Sequence, residues 1–383
     1  MTQGFIFSPQ AAQGVLIRDS FSDEDASVLC EQILTQLDAR ELAAQVEARY
    51  GTDAQSRYLR LRLKPEHCAA WAPGHNTLGL CSTLGLVPHE NAEHRLREIV
   101  LCMLMAPQPF AFPSVAEFMA AVRIRRNIAE AARKTSLAFH TSQAERPADC
   151  WTYAEGKGFV LQPGASLIPA LRKTTQPEVS GTKYSFSCYR ATEYVCLLGI
   201  CEELAGSNPE LLGRLENLWR RRSIMSGEFH EVFLREQGSV EQPLPPYYFV
   251  PGDRLWFRNP DEHSSDASGF EGSWVFYMGE GLFSNFWDSQ QPYTLDAKCL
   301  EIYHWRNGTR RDEEGELRMD EERVAELVGA SRQNPAEEAE ILARMQRYRD
   351  PSGTYAEGGC LDSTREAPRW VCPGTADLNL PLQ

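Results

Sequence analysis

The sequence predicts an α+β protein in which helices pack on an antiparallel sheet. Two observations support this fold class. Apolar residues recur at the helical period in 188–204, and a capping box at Ser114 predicts a second long helix to about Lys134. Three short aromatic-rich runs, 247–250, 254–257 and 273–278, follow one another, with a Pro-Gly-Asp turn between the first two. This order is typical of sequential antiparallel strands.

Composition limits the class of protein. The chain has 383 residues, of which 42% are hydrophobic and 24% charged, as in a globular protein with a sizeable core. Its formal net charge of -14 argues against a nucleic-acid partner, because binding phosphates needs clustered Lys and Arg. No apolar run is long enough to span a bilayer and the N-terminus lacks a signal-peptide pattern, so we expect a cytoplasmic protein with no membrane partner. Eleven cysteines without paired C-x-x-C spacing indicate reduced thiols.

The first part of the chain, residues 1–112, is predicted to be a mostly helical N-terminal region. Between Asp23 and Tyr50 apolar residues recur near the helical period. The His and Cys residues scattered through this region match no zinc-binding spacing, so we predict no metal site. The Pro-rich stretch 106–113 cannot continue a helix and marks the start of a new unit.

The central unit is predicted to span residues 113–307. Ser114 and Glu117 have the spacing of a capping box, in which each side chain satisfies an exposed backbone donor at a helix start. The helix that begins there is expected to run to about Lys134. A strand is predicted within 151–161, ahead of the helix at 188–204.

The remaining residues, 308–383, are predicted to be a charged helical and irregular C-terminal extension. A charged helix is expected from about Met319 to Tyr348, followed by a tail that contains Gly and Pro. No residue pattern in this extension indicates chemistry.

Cys188 is the candidate nucleophile. It is expected in the first turn of its helix, and a thiol reacts as thiolate, which the positive end of a helix stabilises. A cysteine in such a position is more often inert packing, which is the alternative interpretation. The residues around it and after it favour the nucleophile.

Three segments together resemble the core of the NlpC-type peptidases, a papain-like superfamily. They are 184–193 with Cys188, the Pro-Gly-Asp strand 251–257, and the strand and glycine turn at 272–285. Within that superfamily the chain is similar to the spore-coat-type bacterial transglutaminases, also through 114–134 and 257–260. The resemblance extends over about residues 114–307. It implies a papain-like core in which a helix-borne cysteine packs on an antiparallel sheet.

The resemblance also implies an activity, a protein-glutamine gamma-glutamyltransferase reaction that needs no cofactor. The cysteine would form a thioester with a protein glutamine, and a lysine or other amine would accept the acyl group. The expected partners are therefore a protein with an accessible glutamine and an amine acceptor. Two alternatives stay open: a deamidase or amide hydrolase with the same nucleophile, and a catalytically silent domain that binds a protein partner.

One departure from the family concerns the base. The family's carboxylate, or the histidine of the related peptidases, aligns with Ser273, and serine cannot remove a proton. Glu271, two residues earlier, is the provisional base, because side chains alternate along a strand. His230 and His263 are the other candidates for this role.

A third polar position of the family aligns with Asn285. The resemblance implies that its amide orients the base or binds the oxyanion. The alternative is an asparagine that stabilises a turn.

Overall fold

The computed structural model describes residues 12–18, 33, 35, 42–53, 56–139, 144–224, 226–352 and 358–381. Helices and sheets are both present along this part of the chain, so the predicted α+β class is confirmed. None of the helices in the described ranges combines the length and the apolar character needed to cross a membrane.

Among the described residues, the N-terminal part contains a four-stranded sheet and three α-helices. With two short 3-10 helices, η1 and η2, its elements are β1 (Val15–Ile17), η1 (Ala43–Gln45), β2 (Val46–Thr52), β3 (Arg57–Leu63), α1 (Pro65–Trp71), η2 (Pro73–His75), α2 (Leu80–Leu84), α3 (Ala92–Leu104) and β4 (Phe110–Phe112). The strand order is β2-β3-β1-β4, with β1 antiparallel to β3 and parallel to β4.

The prediction of a mostly helical N-terminal region did not include this sheet. The end of the segment 23–50, predicted as helical, belongs to β2 and pairs antiparallel with β3. In β3, Leu59, Leu61 and Leu63 are buried at every second position. Pairing with a half-buried strand of this kind outweighs a local helical pattern. Most of the rest of the segment predicted as helical lies outside the described residues.

The central part begins with a long helix and ends with the antiparallel strands. Its elements are α4 (Val115–Lys134), β5 (Ala138–Phe139), β6 (Trp151–Ala154), β7 (Gly158–Leu161), α5 (Leu167–Thr175), α6 (Pro177–Ser180), β8 (Ser185–Phe186), α7 (Cys188–Ser207), α8 (Pro209–Trp219), α9 (Ser226–Phe233), β9 (Leu234–Gln237), β10 (Arg254–Arg258), α10 (Glu262–Ser265), β11 (Gly272–Gly279), β12 (Leu282–Phe283) and β13 (Tyr293–Thr294). The helices predicted from Ser114 and Cys188 are confirmed, as are the strands predicted at 254–257 and 273–278. The strand predicted within 151–161 is a hairpin, β6 and β7.

The predicted strand at 247–250 is wrong, because its backbone donors are used elsewhere. The N–H of Phe249 donates to Thr77 Oγ1 at 2.8 Å, and the N–H of Val250 donates to Asp253 Oδ2 at 2.7 Å. A segment whose donors bond to side chains in this way has none left for a neighbouring strand.

The C-terminal part contributes to the central sheet. Its elements are α11 (Leu295–Gly308), β14 (Thr309–Arg311), β15 (Leu317–Met319), α12 (Glu321–Arg332), α13 (Pro335–Met345) and β16 (Arg365–Pro368). The sheet has the order β13-β12-β11-β10-β16-β9, and β16 is antiparallel to both of its neighbours. The segment predicted as an irregular tail therefore supplies an interior strand of the central sheet. The predicted boundary at residue 308 coincides with the end of α11.

Helices cover both faces of the central sheet. α4 and α7 pack on the face that buries Phe276 and Met278. α11, α12 and α13 cover the opposite face, where Val275 is buried. α4 and α7 approach so closely that a Cβ at Gly199 would lie 2.5 Å from Ile128 Cγ1, so any larger residue would force the two helices apart.

Candidate active site

Cys188 is the first residue of α7, as the sequence predicted. Ser187 is the N-cap, and its Oγ accepts a hydrogen bond from the N–H of Arg190 at 3.3 Å. Just ahead of it, β8 pairs in parallel with β5, which fixes the approach of the chain to the helix. The thiol therefore lies in the first turn, where the helix dipole favours a negative charge.

The surroundings of the Cys188 thiol have opposing effects on its acidity. Burial is the largest influence and raises the pKa of Cys188. The backbone N–H of Trp274, in β11, and that of Tyr189 hydrogen bond to the sulfur and lower its pKa. Burial outweighs them, so the resting thiol is protonated at neutral pH, and attack on a substrate needs a group that takes up the proton.

Cys188 also differs from most other cysteines in its exposure. All ten described cysteines are free thiols. Cys188 and Cys68 are partly exposed, whereas the other eight are buried. Cys188 is therefore one of two described cysteines that are not fully buried, and Cys68 offers a comparison thiol within the same chain.

Two charged side chains of opposite sign act on the thiol: Lys298 lowers the pKa of Cys188 and Glu271 raises it. Lys298, near the start of α11, was not identified from the sequence. Its side chain is 3% exposed, and its Nζ lies 3.1 Å from Glu301 Oε1 and 3.9 Å from the ring centroid of Tyr293. Burial lowers the pKa of Lys298, but its charged and polar neighbours together outweigh burial and raise it. Lys298 is therefore a buried cation that favours the thiolate.

Glu271 lies directly before β11 and is exposed. Its backbone carbonyl accepts from the N–H of Asn259 at 3.0 Å, which fixes the main chain. Its Oε1 accepts a long hydrogen bond of 3.4 Å from the N–H of Gly269, so the carboxylate stays accessible. Ser273, which the sequence resemblance aligned with a carboxylate of the family, pairs opposite Phe257 in the β10–β11 ladder.

Beside the thiol, Arg254, Glu366 and His230 form what we call the Arg254 cluster. Arg254 is 1% exposed, and its guanidinium lies 3.8 Å from the ring centroid of Trp274 and 4.7 Å from that of Tyr189. Its Nη1 donates to Glu366 Oε2, while Glu366 Oε1 lies 2.9 Å from His230 Nδ1. The cluster thus packs against the two residues whose N–H groups bond to the sulfur.

His230, a candidate base, therefore has a carboxylate partner. The hydrogen bond to Glu366 is the main cause of its raised pKa. Burial raises the pKa of Glu366, but His230 and Arg254 together lower it below its ordinary value. Glu366 belongs to β16, in the segment for which the sequence indicated no chemistry. No local pattern reveals it, because strand pairing alone brings it to Arg254.

The other two predicted residues are His263 and Asn285. His263 is exposed in α10. The Nδ2 of Asn285 donates to Gln291 O at 2.9 Å, and its Oδ1 accepts from the N–H groups of Trp287 and Asp288 at 3.2 and 3.3 Å. These hydrogen bonds close the asparagine's own loop, as the turn alternative expects, and the orienting role of Asn285 stays a prediction.

The scattered histidines of the N-terminal part are used as hydrogen-bonding groups. His75 Nδ1 lies 2.8 Å from Met105 O, and His94 Nδ1 accepts from the N–H of Val87 at 3.1 Å. Over the ranges that the structure describes, no three His, Cys, Asp or Glu side chains are grouped so as to hold a metal ion.

Comparison with known proteins defines the family. A family model described as protein-glutamine gamma-glutamyltransferase matches residues 83–379. The chain belongs to this family. The match extends beyond 114–307 at both ends and includes β16 with Glu366. The predicted relation to bacterial transglutaminases is thereby confirmed.

Two relatives illustrate the distance within the family. The protein-glutamine gamma-glutamyltransferase of Halalkalibacterium halodurans is 23% identical over 195 residues, which cover 49% of this chain and 62% of that protein. This chain therefore spans less than two thirds of the relative's length. The solved transglutaminase from Geobacillus stearothermophilus, without its C-terminal extension, has a TM-score of 0.37 and 19% identity, covering 57% of this chain and 98% of that one.

For a member of the transglutaminase family, the groups around Cys188 match the chemical needs of acyl transfer. Such a reaction needs a nucleophile, a proton acceptor and hydrogen-bond donors for the developing negative charge. Cys188 is a partly exposed cysteine, the N–H groups of Trp274 and Tyr189 are donors, and Glu271 is an exposed carboxylate.

Proposed function

We propose that the chain joins protein glutamine side chains to lysine or other primary amines through a thioester on Cys188. One observation carries this proposal: the half-buried thiol at the start of α7, bonded by the N–H of Trp274, in a chain of the protein-glutamine gamma-glutamyltransferase family. The proposal includes the roles of Cys188 as nucleophile, Glu271 as base and Lys298 as the cation that stabilises the thiolate.

In the first half-reaction the sulfur of Cys188 attacks the carboxamide carbon of the glutamine, and Glu271 takes up the thiol proton. The negative charge on the carboxamide oxygen is stabilised by the backbone N–H groups that face the sulfur. The carbon–nitrogen bond then breaks, Glu271 returns the proton to the leaving nitrogen, and ammonia departs. A thioester on Cys188 remains.

In the second half-reaction an amine attacks the thioester carbon and gives its proton to Glu271. The carbon–sulfur bond breaks, and Cys188 leaves as a thiolate, which the positive charge of Lys298 stabilises. The proton then passes from Glu271 to the sulfur and restores the resting thiol. Water in place of the amine gives a glutamate, which is the hydrolase alternative.

A second candidate function, a silent binding domain, is favoured by one specific pair of observations. The pKa of Cys188 is raised, and Ser273 stands where the family has a carboxylate. A thiol that stays protonated, with no base in hydrogen-bonding contact, is poorly suited to attack an amide.

Incorporation of a fluorescent primary amine into a glutamine-rich protein tests the proposal. Wild-type chain is expected to label the protein, and Cys188→Ala is expected to lose the activity completely. Cys68→Ala, which removes the other partly exposed thiol, is the matched control and should retain it.

Ammonia release, measured in the same reactions, separates the alternatives. Release without amine incorporation identifies a hydrolase and contradicts the transferase. If the wild-type chain produces neither product, the silent domain is the better description. A cytoplasmic location remains part of the proposal and is supported by the ten free thiols.

A further inference from the structure

A cavity of about 240 Å³ lies away from Cys188, between the N-terminal sheet and the edge of the central sheet. Its walls come from α3, β4, α4, β9 and the chain around β16. The apolar part of the lining includes Met103, Phe110, Phe112, Ala121, Pro368 and Trp370. None of its lining residues belongs to the groups described around the thiol.

The lining of the cavity matches that of a ligand site. Ligand pockets are mostly apolar and carry a few polar groups that fix orientation. Here the polar groups are Arg125, Arg235, Glu236 and Gln237. An apolar cavity of about 150 Å³ holds a benzene molecule. This one therefore has room for one aromatic ring and a small polar group.

Arg125 leaves one hydrogen-bonding group unsatisfied in this wall. The residue is 2% exposed, and its Nη1 donates to Asp253 Oδ1 at 2.6 Å. Its Nη2 is buried and has no hydrogen-bond partner among the described residues. Its guanidinium carbon lies 5.4 Å from the ring centroid of Phe110, another lining residue. A buried N–H of a charged group left without an acceptor is unfavourable, and Arg125 is one residue of this wall that carries such a group.

Arg235, on β9, adds a second donor to the same cavity. Its Nη2 bonds to Asp377, and its guanidinium lies 3.7 Å from the ring centroid of Trp370. Its Nε is buried and likewise lacks a partner over the described ranges. The acidic side chain in the lining, Glu236, already accepts from Thr364 Oγ1 at 2.9 Å. The unsatisfied groups are thus donors on two cations, which select an anion.

We propose that this cavity binds a small monocarboxylate with a compact apolar body. Among anions a carboxylate fits best, because a planar guanidinium matches its geometry and its apolar body can fill the aromatic part of the wall. The site is separate from Cys188, and its occupancy does not depend on acyl transfer. Its occupant would contact β9 and β16, and β16 carries Glu366.

Isothermal titration calorimetry on the full-length chain tests the site with phenylacetate and its neutral isostere phenylacetamide. Phenylacetate is expected to bind at one site per chain. Phenylacetamide is expected to bind at least about tenfold more weakly, because it cannot offer a charged acceptor to the two arginines.

Variants that fill the cavity provide the second arm. Ala121→Leu, on α4, is expected to abolish phenylacetate binding, and Ala111→Leu, on β4, serves in its place if the first variant unfolds. The matched control is Ala116→Leu, on the exposed face of α4, which should bind as the wild type does. Equal binding of acid and amide, no binding of the acid, or unchanged affinity in the filled variants would each overturn the proposal.

Discussion

Arg254 Nε donates a hydrogen bond to Thr192 Oγ1 at 2.8 Å and so joins the central sheet to the helix that begins at Cys188. Both residues are buried, at 1% and 0% exposure. Thr192 Oγ1 in turn donates to the carbonyl of Tyr189 at 2.7 Å. The threonine hydroxyl therefore connects the arginine to the first turn of α7.

We predict that Arg254 and Thr192 are energetically coupled. Arg254→Lys keeps the charge but loses the Nε donor, and should lower the free energy of unfolding by about 1–2 kcal/mol. Thr192→Val removes the acceptor with little change in shape. In urea denaturation the loss in free energy of unfolding of the double variant should be about 1 kcal/mol smaller than the sum of the losses of the two single variants. Strictly additive losses would show that the bond contributes nothing.

A second prediction concerns the pH dependence of stability. The pKa of His230 is raised above 6.5, so its contribution to stability is fully present below pH 6.5 and is lost as pH rises through the folded-state value. The pKa of Glu366 is lowered below 4.5, so its contribution is present above pH 4.5 and is lost on acidification. Stability from this pair should therefore be greatest between these two limits.

The variant His230→Gln measures the alkaline half of this profile. As pH rises above 6.5, the free energy of unfolding of the wild type should fall relative to that of the variant by no more than about 1 kcal/mol. The change is small because His230 is 39% exposed and solvent screens the pair. Urea denaturation at a series of pH values gives the difference. A difference that grows with rising pH would contradict the assigned pair.

Local signals in the sequence were sufficient for the elements that carry the nucleophile. Ser114 and Ser187 cap α4 and α7, and helical periodicity depends only on neighbours within a few turns. The position of Cys188 followed directly from them. β10 and β11 were equally visible, because an aromatic-rich apolar run is a local pattern too, although the same pattern wrongly predicted a strand at 247–250.

The groups that act on Cys188 were harder to predict, because distant parts of the chain bring them together. Glu366 reaches Arg254 through the pairing of β16 with β10, and Lys298 acts on the thiol from α11. Neither residue lies in a sequence pattern that distinguishes it from a surface charge. Val46–Thr52 shows the same limit, since its strand depends on β3 as a partner.

A third prediction concerns Glu271, which should affect the alkylation rate of Cys188 and the rate of amine incorporation in opposite directions. Glu271→Gln removes the negative charge that raises the thiol pKa, so alkylation by iodoacetamide at neutral pH should become faster. The same variant loses the proposed base, so amine incorporation should fall by about a hundredfold or more. Alkylation is measured on the Cys188 peptide by mass spectrometry.

Lys298→Met is the opposite control within the same experiment. It removes the positive charge that lowers the thiol pKa, so alkylation of Cys188 should become slower. Cys68 provides the internal standard and should react at the same rate in all three proteins. If both substitutions shift alkylation of Cys188 in the same direction, the opposite effects assigned to the two charges are incorrect.

The last prediction concerns Glu117, which was expected to complete a capping box with Ser114. Ser114 Oγ does accept from the N–H of Glu117 at 3.2 Å. The Glu117 carboxylate instead accepts from the N–H groups of Val371 and Cys372 at 3.1 and 2.7 Å. It therefore holds the chain that follows β16 against the start of α4, and it is 1% exposed.

Glu117→Gln should release this C-terminal segment. The amide nitrogen would face backbone donors instead of accepting from them, which should lower the free energy of unfolding by about 2–3 kcal/mol. Limited proteolysis should then cut near residues 371–377 before the rest of the chain, because the segment loses its buried acceptor. Glu178→Gln, an exposed glutamate in the first turn of α6, is the matched control and should change stability by less than about 0.5 kcal/mol. Wild-type resistance to proteolysis in Glu117→Gln would mean that other contacts hold the segment in place.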